Sequence, residues 1–144
     1  DVLTMFLALN ASVELYKGGV VPLAEYAQRP YDRDILVRVL VPKENARFVY
    51  QSVRNSQTDF PVLTCAAAKL ADGSIRAAIG ARPGKAVLYT AAPEAGETAE
   101  EFAARFAAEV KADIKTESNL RGGAEYRRHL AGVLTKRAVC RLEG

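Results

Sequence analysis

The clearest hydrophobic pattern lies at the end of the chain, in residues 118–141. After the glycine pair Gly122-Gly123, apolar residues recur at the spacing of one helical face: Tyr126, Leu130, Val133, Leu134 and Ala138. Basic residues fall on the remaining surface of the same helix: Arg127, Arg128, Lys136 and Arg137. A helix with one apolar stripe must bury that stripe against another element. We therefore predict a C-terminal helix packed on a core, with Tyr126 facing inward.

Two further helices are predicted by their first residues and their periodicity. Thr98 and Glu101 form a capping box, and the helix behind it should end near Asp113. Its apolar residues follow at four-residue steps: Phe102, Phe106 and Val110. At the front, Asp1 is a candidate N-cap for a helix over Val2–Leu9. The spacing predicts one apolar face on that helix: Val2, Met5, Phe6 and Leu9.

The first third of the chain also predicts strands. Ser12–Tyr16 alternates polar and apolar residues, and Gly18-Gly19 is a hairpin signal that returns the chain through Val20-Val21. A short helical segment over Leu23–Ala27 follows. Asp34–Val41 is almost continuously apolar and rich in β-branched residues, which predicts a buried strand.

The middle of the chain predicts an antiparallel meander of three strands. Arg47–Val53 alternates, Val62–Leu70 is a long apolar run, and Ser74–Ala81 pairs back across an Asp72-Gly73 turn. The polar residues Lys43–Asn45 suit a boundary between two subdomains. Together with the helices, this order predicts an α+β fold in which a helical cluster covers one face of a small sheet.

The composition limits the class of protein but does not identify a function. The chain has 144 residues, 49% hydrophobic and 26% charged, with a net charge of +3, so nucleic-acid binding is allowed but not implied. Cys65, Cys140 and the single histidine, His129, lie far apart in the sequence and predict no metal site. No apolar run is long enough to span a bilayer. A reduced, cytoplasmic protein is the simplest expectation.

The sequence contains no self-sufficient set of catalytic residues. His129 has no carboxylate or cysteine motif beside it and is expected on a helix surface. Arg121, Arg127 and Arg128 could bind phosphate, although a solvated helix face is the favoured interpretation because aromatic residues are not interleaved with them. The polar loop Arg54–Asp59 joins two apolar strands, where it could meet a ligand or form a plain β-turn.

The order of these segments resembles one family, the FAD-binding (medium) subunit of molybdenum hydroxylases, which includes xanthine dehydrogenase and carbon monoxide dehydrogenase. The resemblance spans essentially the whole chain. It is carried by DVLTMFLALNASVELY, VPLAEYA and DILVRVLVP at the front, RFVYQSVRNSQTDFPVLTCAAAKL and the Asp72-Gly73 hairpin in the middle, and SNLRGGAEYRRHLAGVLTKRA at the end.

This resemblance implies two parts and a cofactor. Residues 1–45 resemble the end of an FAD-binding domain, and residues 46–144 resemble the family's C-terminal domain, with three strands packed by helices. Asp1 and Leu36 match positions that contact the cofactor. Gln51 departs from a Lys that relatives often carry beside the flavin, and the Arg54–Asp59 loop matches one near the flavin ring.

The implied function is that of an oxidoreductase subunit. Iron–sulfur centres would reduce FAD, which would pass electrons to NAD or another acceptor, while hydroxylation would occur on a molybdopterin subunit. The family's Gly-rich loops for the FAD pyrophosphate would precede Asp1, so this segment alone is expected to bind flavin poorly and to be inactive until a preceding N-terminal segment completes it. Neither nucleic acid nor membrane is an expected partner. The alternative is a non-catalytic α+β interaction module that docks a protein or nucleic acid through its basic C-terminal helix.

Overall fold

The strands form two antiparallel sheets in the computed structural model, which describes residues 2–31, 33–43 and 46–144. The predicted N-cap Asp1 lies outside the described residues. In chain order the elements are α1 (Val2–Ala8), β1 (Ser12–Leu15), β2 (Gly19–Pro22), α2 (Leu23–Tyr26), β3 (Leu36–Leu40), β4 (Arg47–Val53), β5 (Leu63–Lys69), β6 (Ile75–Gly80), β7 (Val87–Ala91), α3 (Ala99–Asp113) and α4 (Ala124–Glu143). The predicted α+β class is confirmed.

The larger sheet is a meander with strand order β4-β5-β6-β7. The three predicted strands are present, and β7 adds a fourth that the sequence analysis did not predict. The turn between β5 and β6 forms as expected: Asp72 Oδ1 accepts from the backbone N–H of Ser74 at 2.9 Å, and Gly73 has a φ of 85°, which favours glycine. Strand β7 was missed because its five residues follow the turn-rich loop at 82–85 and carry too short a pattern.

Both faces of this sheet are covered, which explains the unbroken apolar run of β5. Alternate residues point to opposite faces of a strand. Cys65 and Ala67 pack with α3 and α4, whereas Ala66 packs with α1 and the smaller sheet. Helix α1 can approach closely because a Cβ at Gly80 would lie only 2.1 Å from Thr4 Oγ1. The sequence analysis predicted helices on one face of this sheet, whereas the structure covers both faces.

Helix α1 buries a different face from the predicted one. Thr4, Leu7 and Ala8 are buried, whereas Val2 is 57% exposed. The reason is the alanine-rich sheet below the helix, where the Thr4 and Thr64 hydroxyls hydrogen-bond at 3.0 Å. Small side chains permit that approach, so Thr4 and Ala8 lie on the sheet together with Leu7, while Val2 points to solvent.

The buried face of α4 also differs from the predicted stripe. Leu130, Leu134 and Ala138 are buried as expected, but Tyr126 is 49% exposed and Arg127 is fully buried. The helix is rotated by about one residue because its first turn meets a cluster of backbone carbonyls that a guanidinium satisfies and a phenol ring would not. Within the described residues, no helix is both long and apolar enough to cross a bilayer.

The smaller sheet has strand order β2-β1-β3, so β3 lies at its edge. The prediction of a buried strand here is wrong, since Leu36 is 45% and Val37 is 52% exposed. Strand β1 is the only hydrogen-bonded neighbour of β3 among the described strands. An apolar sequence favours a strand whose side chains are buried, but burial also requires another element of the protein to cover that strand.

We expect Leu130→Ala to lower the free energy of unfolding by about 2–5 kcal/mol, because it leaves a cavity between α4 and the sheet. Urea denaturation followed by far-UV circular dichroism would measure the change. The control Arg137→Ala changes an exposed residue of the same helix and should alter stability by no more than about 0.5 kcal/mol. Equal stability of the two variants would contradict the buried face assigned to α4.

Candidate functional site

Two loops meet at one end of the larger sheet, and a buried arginine joins them. We call residues 54–61, between β4 and β5, and residues 117–122, before α4, the loop pair. Arg127 in the first turn of α4 is fully buried between them. Its Nε donates to the Val62 carbonyl at 2.9 Å, and its Nη1 donates to the carbonyls of Glu117 at 2.6 Å and Gly122 at 2.5 Å. The sheet, the loop before α4 and the helix are thereby joined at one side chain.

The fourth contact of Arg127 runs from Nη2 to Asn119 Oδ1 at 2.5 Å. All four of these acceptors are neutral, so the charge is solvated by dipoles rather than by a carboxylate. Desolvation and the positive charge of Arg121 lower the pKa of the Arg127 guanidinium. Arginine nevertheless stays protonated at physiological pH because its ordinary pKa is far higher. The arrangement positions backbone, and because Arg127 is fully buried its guanidinium is not accessible to a ligand from solvent.

Arg121 connects the two loops at the surface. Its Nη2 lies 3.1 Å from Asp59 Oδ1, and its guanidinium carbon lies 5.2 Å from the centre of the Phe60 ring. In return, Asn55 Nδ2 donates to the Arg121 carbonyl at 3.1 Å. The group predicted from the sequence as a possible phosphate binder is therefore divided: Arg127 is structural, Arg121 is paired, and Arg128 is exposed.

The predicted ligand loop, residues 54–59, is held by its own hydrogen bonds. Arg54 Nη1 donates to the Asp59 carbonyl at 2.5 Å, and the backbone N–H of Asp59 donates to the Ser56 carbonyl at 3.2 Å. The backbone N–H of Phe60 donates to Asp59 Oδ1 at 2.7 Å. That N–H and the Arg121 guanidinium hold the pKa of the Asp59 carboxyl below its ordinary value. The loop is thus preorganised, with an ionised carboxylate at its last residue, Asp59.

A shallow cavity of about 220 Å³ opens beside the loop pair. Its walls come from three loops and are formed by Phe60, Pro61, Ala81, Pro83, Asn119 and Arg121. Ala81 has a φ of 59°, which turns the chain sharply after β6. An aromatic edge, two prolines and a guanidinium suit a flat polar group such as an amide or a heterocycle. None of residues 54–59 lines this cavity, so the candidate site lies next to the predicted ligand loop and not in it.

The other predicted cofactor positions lie elsewhere. Leu36 is in the smaller sheet, on the exposed edge strand β3, and does not line the cavity. Gln51 lies between Val49 and Val53, which face α3 and α4, and its Nε2 is buried without a hydrogen-bond partner. Strand alternation therefore directs Gln51 toward the helices.

The remaining candidates have structural or surface positions. The capping box is present: Glu101 accepts from the Thr98 backbone N–H at 2.9 Å, and Glu101 N donates to Thr98 Oγ1 at 3.3 Å. His129 is on the helix surface, as predicted. Burial raises the pKa of the Cys65 thiol to about 12, so this thiol is unreactive near neutral pH. In the part of the chain that the structure describes, no three His, Cys, Asp or Glu side chains converge on a metal-sized site.

Arg127 is the residue whose role the sequence analysis missed. A signal was present, because Arg127 precedes Leu130, Leu134 and Ala138 by three, seven and eleven residues, which is the spacing of the buried face. Because arginine is charged, a search for apolar periodicity does not count it as a buried residue. The acceptors of Arg127 are the distant Val62 carbonyl and three groups of the irregular loop just before α4, and a helical pattern specifies the position of neither.

The sequence model of the CO dehydrogenase flavoprotein C-terminal domain matches residues 48–142. The chain therefore belongs to this family, and the recognised resemblance is confirmed. A search of curated proteins found no significant match.

Solved structures share the fold over 99% of this chain. Carbon monoxide dehydrogenase from Oligotropha carboxidovorans, in a reconstituted form, matches with a TM-score of 0.79 and 20% identity over 56% of its own chain. Carbon monoxide dehydrogenase from Hydrogenophaga pseudoflava, lacking the Mo-pyranopterin moiety, matches with a TM-score of 0.78 and 23% identity over 55%. Quinoline 2-oxidoreductase from Pseudomonas putida 86 matches with a TM-score of 0.77 and 18% identity over 55% of its own chain. The chain thus spans just over half the length of these proteins.

We expect Arg127→Met to lower the free energy of unfolding by about 3 kcal/mol or more, because the buried carbonyls of both loops lose their donors. Thermal and urea denaturation would measure this. Arg128→Met is the matched control: the adjacent arginine is exposed, and its loss should change stability by no more than about 0.5 kcal/mol. The assigned role fails if the two variants are equally stable.

The Asp59–Arg121 pair should be visible in an NMR pH titration. The pKa of Asp59 is depressed in the folded protein, so its stabilising contribution is present above the unfolded pKa and is lost as the pH falls through the folded value. Arg121→Gln should raise the Asp59 pKa toward its ordinary value of 3.8. Arg128→Gln makes the same change of charge away from Asp59 and should leave that pKa where it was. An equal shift of the Asp59 pKa in both variants would show that the pKa depends on the net charge of the protein and not on the Asp59–Arg121 pair.

Proposed function

We propose that this chain is the C-terminal part of the FAD subunit of a molybdenum hydroxylase. Residues 1–45 would complete an FAD-binding domain, and residues 46–144 would form the C-terminal domain that follows it. The observation that carries the proposal is the family match over residues 48–142. The similarity of fold over 99% of this chain supports it, because the match continues through the smaller sheet in front of the family domain.

The proposed reaction is electron relay within an oxidoreductase complex. Iron–sulfur centres on one partner subunit would supply electrons, and a molybdopterin subunit would hydroxylate the substrate. FAD supplies reversible electron uptake and transfer to NAD or another acceptor. This chain would help to place the flavin and to exclude water from it. Xanthine dehydrogenase and carbon monoxide dehydrogenase represent the proposed class, and a cytoplasmic location is part of the proposal.

The described residues fit one wall of an FAD site. Strand β3 exposes Leu36 and Val37, which give an apolar surface on which the adenine end of the cofactor could pack. Asp1, which precedes α1 in the sequence, is the second proposed contact. The described residues contain no Gly-rich loop of the kind that binds a pyrophosphate. A preceding N-terminal segment would therefore supply the phosphate contacts.

The smaller sheet supports the presence of such a segment in the complete subunit. Its edge strand β3 and the residues around it carry exposed apolar side chains: Ile35, Leu36, Val37, Leu40 and Val41. A contiguous apolar surface of this kind usually binds another polypeptide or a ligand. We assign it to the remainder of the FAD-binding domain.

The complete polypeptide, with its preceding segment, should show the absorption of oxidised flavin near about 450 nm. Leu36→Asp should lower the flavin content per polypeptide, because it places a charge on the apolar wall of the site. Val20→Asp is the matched control: it introduces the same carboxylate on an exposed residue at the other edge of the sheet and should retain flavin.

Flavin released by denaturation and quantified by fluorescence gives the readout independently of activity. A colourless complete polypeptide would overturn the proposal and favour the alternative, a non-catalytic interaction module. Equal flavin loss in both variants would leave the subunit assignment intact but would contradict the specific role of Leu36.

A further inference from the structure

The outer side of the helical layer carries a groove between α3 and α4. Ala107, Ala108, Gly132 and Val133 form its floor, and Lys111, His129 and Lys136 form its rim, around a cavity of about 210 Å³. The helices are close at Gly132, where a Cβ would be in ordinary van der Waals contact with Lys111 Cβ at 3.4 Å and the Ala107 carbonyl oxygen at 3.5 Å. The floor is therefore small and apolar, and the surrounding charge is positive.

A second depression of about 510 Å³ continues this groove along α4. It shares Val133 and Lys136 with the first and adds Arg137, Cys140 and Arg141. We call the two together the α3–α4 groove. From His129 to Arg141 the helix rises about 18 Å, which equals about three turns of a partner helix lying alongside.

The charge of this groove is one-sided. Its lining contains four lysine or arginine residues, Lys111, Lys136, Arg137 and Arg141, and no carboxylate. Lys136 Nζ lies 3.9 Å from a carboxylate oxygen of Glu100, whose side chain is 84% exposed. Such a solvated contact neutralises little. Since the whole chain has a net charge of only +3, positive charge is concentrated here.

We propose that the α3–α4 groove binds an acidic amphipathic helix of a partner protein. Aliphatic side chains at i, i+4 and i+7 of that helix would lie on Ala108 and Val133, and flanking glutamates would face the lysine and arginine rim. The positive rim sets the orientation and the association rate, and the apolar floor adds burial. This inference does not depend on flavin binding by the subunit.

The lining favours a protein partner over nucleic acid or a membrane. It contains no Tyr, Phe or Trp on which a base could stack, and its floor offers methyl groups where a phosphate would need donors. Among the described residues of α3 and α4, Tyr126 is the single large apolar side chain that is strongly exposed, and it does not line the groove. Membrane insertion normally uses several such residues.

Fluorescence anisotropy with a designed probe tests the proposal on the full chain. The probe is a labelled peptide of about 14 residues with leucines at i, i+4 and i+7 and glutamates elsewhere, long enough for the groove. The control is a peptide of the same composition whose leucines are spread around the helix and form no single apolar face. We expect saturable binding of the first, at least about tenfold tighter than the second, and weaker at about 300 mM than at about 50 mM salt.

Two alanine replacements on α3 localise the binding. Ala108→Glu places a carboxylate in the groove and should weaken the amphipathic peptide at least about tenfold. Ala104→Glu makes the same change one turn earlier, on an exposed position outside the lining, and should shift the affinity by less than about twofold. Circular dichroism of both variants checks that each remains folded.

Four results would overturn the proposal. The first is equal affinity for the two peptides, and the second is an equal response to both alanine replacements. The third is that duplex DNA or anionic vesicles bind more tightly than the peptide and that Ala108→Glu weakens this binding. Concentration-dependent dimerisation abolished by Ala108→Glu would instead assign the groove to a second copy of the chain, and would also overturn it.

Discussion

The guanidinium of Arg127 is the interaction on which the arrangement of the loops depends. A buried cation is expensive unless its donors are satisfied, and here Val62, Glu117, Gly122 and Asn119 supply the acceptors. These acceptors belong to the start of β5 and to the loop before α4. Because one planar group serves both, the β5 end of the sheet and the last helix have a defined spacing. The surface pair Arg121–Asp59 then closes the same two loops from the solvent side.

The larger sheet shows how small side chains shape a two-sided core. Ala66 and Ala78 face α1 and the smaller sheet, whereas Cys65, Ala67 and Ile79 face α3 and α4. A strand buried on both faces cannot alternate between polar and apolar residues. Its continuous apolar run therefore carries no information about which side a helix will cover. The same sheet holds two layers together and keeps the loop pair at one end.

Family membership and local geometry answer different questions about function. The match over residues 48–142 identifies the domain, and the solved structures show that its fold survives at identities of 18–23%. The cavity beside Phe60 and Arg121, the exposed strand β3 and the α3–α4 groove are properties of this chain. They place a candidate ligand surface, a candidate flavin wall and a candidate partner site on three separate parts of one molecule.

The sequence by itself determined the α+β class, the capping box of α3, the Asp72-Gly73 turn and the polar loop at residues 54–59, because each depends on neighbouring residues or on a local period. Tertiary structure decided which faces are buried. Tyr126 is exposed and Arg127 is buried because the first turn of α4 meets the distant Val62 carbonyl and acceptors of the preceding loop. Strand β3 is exposed because burial requires a covering element as well as an apolar sequence. Strand β7 forms for the same reason: five residues gain their order by pairing with β6, a contact that no local pattern specifies.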